Sequence, residues 1–107
     1  SQQTARSRQE MIEHGDASLR VTVPMVIANA RALLEAGRSF LLSGARQELT
    51  LLDLAAVHEI DSSALSVILA WLRTAGERGV ALRIVSPPAS LISLATLYGV
   101  CELLPIA

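Results

Sequence analysis

The feature that most constrains this chain is an alternation. "ELTLLDL" reads as a strand, "SSALSVILAWLRTAGER" as an amphipathic helix, "VALRIV" as a strand again and "ASLISLATLYG" as a second helix. In "ELTLLDL" periodicity alone does not separate strand from helix, and length and the following turn favour strand. Strands alternating with helices imply a sheet covered by the helices that join its strands. Upstream, "SLRVTV" places Leu19, Val21 and Val23 on one face of a strand from Ser18 to Val23. Pro24 fits the first turn of a following helix, where its missing N–H costs nothing. Val26, Ala30, Leu33 and Leu34 form that helix's apolar stripe, and Gly37 is the expected stop.

Further signals mark the element ends. The central helix is expected from about Ser62 to Arg78, with Gly79 ending it, and "SPP" (Ser86 to Pro88) introduces the last helix. Leu91, Leu94, Ala95 and Tyr98 share its stripe, and Gly99 closes it. "VCELLPIA" is expected to supply a short final strand, while polar residues 1–16 read as a tail before a domain over 17–107. The expected class is α/β, a small mixed sheet with helices mainly on one face.

Composition narrows the function. At 107 residues the chain suits a single domain. Half of it is hydrophobic (51%) but only 3% is aromatic, so the core must be aliphatic and no base-stacking platform is available. A formal charge of −1 lacks the basic excess of a nucleic-acid binder. No apolar run reaches the ~20 residues that cross a bilayer. Cys101 has no second cysteine to pair with, which fits a reducing, cytoplasmic setting.

The stretch "HEIDSSALSVILAWL" carries the chemistry of interest. The first turn of a helix has unpaired N–H groups, and Asp61 or Ser62 can cap them. The same position tolerates a phosphate on Ser63, although Asp61 opposes it by charge. On a helical wheel Leu65, Ile68, Leu69, Leu72 and Ala75 make one face, taken as the core side. The other face holds Ser63, Val67, Ala70, Trp71, Thr74 and Arg78. An open face carrying Val67 and the only tryptophan is a candidate dock; alternatively Trp71 folds back over the sheet edge.

Catalysis has little behind it. His58, Asp61 and Ser62 match a Ser/His/acid set by composition only, and no G-x-S-x-G elbow is present. His14 lies in the tail. Neither metal-ligand spacing nor a phosphate-binding or dinucleotide fingerprint is found, so no catalytic residue, metal or cofactor is expected. A nucleotide module at the helix start rests only on the general anion affinity of helix ends.

From Leu51 to Pro105 the chain resembles the STAS domain family: a strand ending in Leu-Asp-Leu, a spacer, Asp61-Ser62-Ser63 before the helix, then a strand and a Pro-led helix. The likeness extends more loosely back to Ser18. In the anti-sigma factor antagonists of that family a serine at this helix start is phosphorylated by a partner kinase, which implies Ser63 here. Ala64 stands where those proteins usually carry Gly, and its methyl is expected to narrow access for a kinase. "LATLYGVCELLP" looks like the small STAS subunit of the Mla-type ABC system that moves phospholipids between the membranes of Gram-negative bacteria. That resemblance implies a non-enzymatic cytoplasmic subunit docked on the transporter ATPase, reaching the inner membrane only through it. The contact is expected at Asp61, Ser62, Ser63, Val67 and Trp71, with Ser62 as the hydroxyl residue of the docking region.

Overall fold

In the computed structural model, residues 11–15, 17–43 and 49–107 are described. Pairing with its neighbour makes a strand of β1 (Ile12–His14), and alternating buried and exposed positions mark β2 (Ser18–Val21), β3 (Leu49–Asp53) and β4 (Ala81–Val85). Between them lie α1 (Ile27–Leu42), α2 (Ser63–Glu77) and α3 (Ala89–Leu97), and a short 3-10 turn covers Cys101–Leu103. The strands form one sheet in the order β1-β2-β3-β4. β1 runs antiparallel to β2, while β2–β3 and β3–β4 are parallel.

Register places the core. Leu19, Leu52 and Ile84 are paired across the parallel strands, and all three are fully buried. Their neighbours on the opposite face, Arg20, Leu51 and Arg83, are exposed. A sheet with one wet and one dry face carries its helices on the dry side. The α/β class with helices gathered on one face is therefore the observed architecture.

Both predicted glycine stops after the central and last helices are present, and they use one device. Gly79 (φ 73°) and Gly99 (φ 70°) adopt the left-handed conformation that glycine tolerates without a Cβ clash. Gly79 N–H then donates to the Gly76 carbonyl and Val80 N–H to Ala75, at 3.1 and 2.8 Å. After α3, Gly99 and Val100 bond Thr96 and Ala95 at the same distances. Each pair is a Schellman closure that satisfies otherwise orphaned carbonyls.

Other expectations are corrected. The α1 helix begins at Ile27, not at Pro24, because Met25 is still held by the sheet side: its N–H donates to Glu59 and it bridges Ile60. Gly37 does not stop α1 but sits inside it, buried, where a Cβ would collide with the Trp71 indole. The supposed tail is shorter than 1–16, since Ile12–His14 pair with β2 and His14 lies over Phe40 with ring centroids 4.7 Å apart; residues 1–10 lie outside the described ones. The final strand reduces to a single bridge, Ile84 to Ile106, after the 3-10 turn.

The face assigned to the partner is the largest correction. Val67 (4% exposed) and Trp71 (0%) are core residues, and Thr74 is buried with them, while Leu69 and Leu72 are only partly buried. α2 packs against α1 as well as the sheet, so its buried arc is rotated toward Val67, Trp71 and Thr74. Trp71 Nε1–H donates to the Leu34 carbonyl of α1 at 3.2 Å. Burying a tryptophan removes roughly 200 Å² from water, worth about 5 kcal/mol. A glycine inside a helix costs only about 1 kcal/mol, so the Gly37 slot is a net gain.

Candidate functional site

The start of α2 is held by Asp61, not by Ser62. Ser62 occupies the N-cap position in helical conformation (φ −63°, ψ −21°) and makes no side-chain cap bond. Asp61 Oδ1 instead accepts the Ser63 N–H at 2.8 Å and the Ser63 hydroxyl at 2.5 Å. Its Oδ2 accepts the Ile27 N–H at 2.9 Å, the first N–H of α1. One carboxylate thus caps two helices, where the positive ends of both dipoles favour it. The Ser63 hydroxyl, followed by the Ile27 N–H, holds the Asp61 carboxyl below the usual carboxylate range, against a smaller opposing effect of burial.

This arrangement separates the two serines. The Ser63 hydroxyl is half-buried and committed to Asp61. Ser62 is exposed, and its hydroxyl bonds neither His58 nor Asp61. His58, Asp61 and Ser62 are therefore neighbours in sequence without a shared hydrogen-bond chain. Ala64 is buried at 1% exposure, so its methyl points into the core and does not narrow access to Ser63, correcting that expectation.

Ser62 heads a groove of about 290 Å³. Ser62, Leu65, Ser66 and Leu69 of the α2 side form one wall, and Tyr98 and Val100 beyond α3 form the other. Ser62, Ser66 and Leu69 follow the i, i+4, i+7 spacing that puts residues on one helix face. Tyr98, which lines the groove, is 57% exposed. Sequence reasoning missed the groove because Leu69 and Tyr98 sat on stripes read as core. The available signal was Gly99: a residue just before a C-terminal glycine is at the helix end, where a stripe no longer reaches the core.

Among the described residues, no group of three or more His, Cys, Asp or Glu side chains gathers where it could hold a metal ion. None of the described helices is long and apolar enough to cross a membrane.

A family described as "Mlab, STAS domain" matches residues 9–105. The chain belongs to the STAS domain family. Solved structures show the same STAS fold. A Thermotoga maritima protein described as an anti-sigma factor antagonist superimposes with a TM-score of 0.69 at 23% identity, covering 89% of this chain and 82% of that one. The anti-sigma factor antagonist SpoIIAA, in its unphosphorylated form, gives 0.64 at 13% identity, covering 89% and 83%. The overall structure of SLC26A9 gives 0.67 at 17% identity, where this STAS chain covers 79% of itself but 16% of that protein. No curated protein matches the chain.

Proposed function

We propose that this STAS domain is a non-enzymatic interaction subunit that docks on the ATPase of a Mla-type phospholipid-transport ABC system, on the cytoplasmic side of the inner membrane. The observation that carries the reading is the groove headed by Ser62. It offers a free hydroxyl, an exposed tyrosine and the Leu65 and Leu69 side chains on a chain whose family is described as "Mlab, STAS domain". An aromatic rim beside an apolar floor with a few hydroxyls is the makeup of a protein-recognition surface.

In this reading Ser62 touches the partner, as do Ser66, Leu69 and Tyr98. Asp61 and Ser63 set the position of Ser62, and Val67 and Trp71 support the helix from behind. Native co-purification of the full chain tests it directly. An ABC ATPase subunit retained by the wild type and lost from a Ser66→Arg variant is expected; a chain that retains no such ATPase sinks the reading.

A second reading, an anti-sigma factor antagonist phosphorylated on Ser63 by a partner kinase, is favoured by the likeness to SpoIIAA. Against it stands the Ser63 hydroxyl, already donated to Asp61, whose charge opposes an arriving phosphate. Mass spectrometry after incubation with an anti-sigma kinase and ATP is expected to find Ser63 unmodified. Stoichiometric phosphate there would promote this reading over the first.

A further inference from the structure

The junction around Asp61 does more than cap. The segments leading into α1 and α2 are zipped together by backbone bonds: Met25 N–H donates to the Glu59 carbonyl at 2.9 Å and Asp61 N–H to the Met25 carbonyl at 3.1 Å. Immediately past this zipper the first N–H of each helix meets the same carboxylate. Val26, the N-cap of α1, supplies no side-chain cap, so Asp61 serves that helix from across the fold. The two oxygens belong to one rigid planar group, so a pull on Oδ1 re-aims Oδ2. At the far end of the connection the Ile27 side chain is 75% exposed, beside the bond it depends on.

We propose that Asp61 is a relay between the two helix starts. A change in the bonding of the Ser63 hydroxyl, through capture by an acceptor on a docked molecule or through addition of a charged group, passes through the carboxylate to the first turn of α1 and alters how Ile27 is presented. The input is a side chain on α2 and the output an apolar side chain on α1, joined by three hydrogen bonds to one group. The relay is a property of the isolated chain, since all three bonds lie within it. Asp61 is in these terms a positioning residue.

The experiment is backbone amide exchange and amide proton shift by NMR on the labelled full chain, read against the Leu52 amide of β3 to remove global stability. Ser63→Asp adds a like charge beside Asp61. It should speed exchange of the Ile27 amide by roughly tenfold, as expected for loss of a charge-assisted hydrogen bond, and shift its proton upfield. Ser63→Thr retains a hydroxyl and should leave Ile27 as in the wild type. The reverse direction uses Ile27→Pro, which deletes the N–H. Val26 already lies in the extended region a following proline requires (φ −124°, ψ 166°), and the first helical position tolerates proline. The Ser63 amide should then exchange several-fold faster, whereas Ile27→Ala, which keeps the N–H, should leave it unchanged. A folded Ser63→Asp chain with wild-type Ile27 exchange, or a folded Ile27→Pro chain with wild-type Ser63 exchange, overturns the relay and leaves Asp61 as two independent caps. If Ser63→Asp does not fold, Ile27→Pro alone decides.

Discussion

Along one side of α2, Val67, Trp71 and Thr74 press against α1, and the indole fills the space that Gly37 leaves by lacking a side chain. Along the other side, Ser62, Ser66 and Leu69 look across a groove at Tyr98 and Val100. Both sides carry large apolar groups, so apolarity alone does not tell a buried seam from an open groove. What separates them is the facing element. α1 comes close enough to bury a tryptophan completely, whereas the end of α3 stops at Gly99 and leaves its tyrosine more than half exposed.

The sharpest way to break this contrast is Trp71→Ala. A large-to-small change at a fully buried aromatic costs about 3–5 kcal/mol, and thermal or urea unfolding should show it. A folded variant of near-wild-type stability would return Trp71 to the surface side of the comparison. Gly37→Ala attacks the same seam from α1. Although alanine is the better helix former, its methyl meets the indole, and a net loss of about 1–3 kcal/mol is expected from overpacking. A gain in melting temperature would show that the seam has slack.

Asp61 stands between the two regions, and pH separates its contribution. Its carboxyl titrates below its unfolded range, so the ionised form is favoured by folding. The stability it adds is fully present above the unfolded carboxylate value of about 3.9 and is lost as pH falls through the lower folded value. Urea denaturation of wild type and Asp61→Asn should therefore differ by a constant amount near neutrality, with the gap closing below about pH 4. A gap independent of pH would mean that the charge of Asp61 is not what caps the helices. The smallest effect on stability belongs to the groove. Ser66→Arg should change unfolding by no more than about 0.5 kcal/mol, as exposed substitutions do, while abolishing retention of the ATPase that the proposed function requires. A large loss of stability there would make the groove wall part of the core.

Much of the architecture was legible because its signals are local. Gly79 and Gly99 each fix a helix end through a conformation that few other residues adopt. By contrast, β3 shows no apolar period of two, since Thr50 is buried while Leu49 and Leu51 are exposed, and only its length and the following turn mark it as a strand. The Asp-Ser-Ser start was also legible as a cap, though not which residue caps: Asp61 was a candidate, but its second bond to Ile27 joins residues far apart in sequence. The covered faces of α2 were misjudged for the same reason. A wheel assumes one dry side, whereas α2 is enclosed by both the sheet and α1. Gly37 read as a stop because a glycine after an apolar stripe often is one. Nothing local shows that Trp71, on another helix, needs the space.

The sheet's two margins bear on assembly. Beyond β4, Ile84 N–H is taken by the Pro105 carbonyl and the Ile84 carbonyl by Ala107 N–H, and Pro105 has no N–H of its own to offer outward. At the other margin β1 is only three residues long. A blunted margin and a very short one give an incoming strand little backbone to pair with, which is how natural sheets resist stacking edge to edge into fibres. Among the described residues, both margins thus offer an approaching chain little open backbone, so a substitution on the exposed sheet face changes side chains without disturbing the ladder beneath.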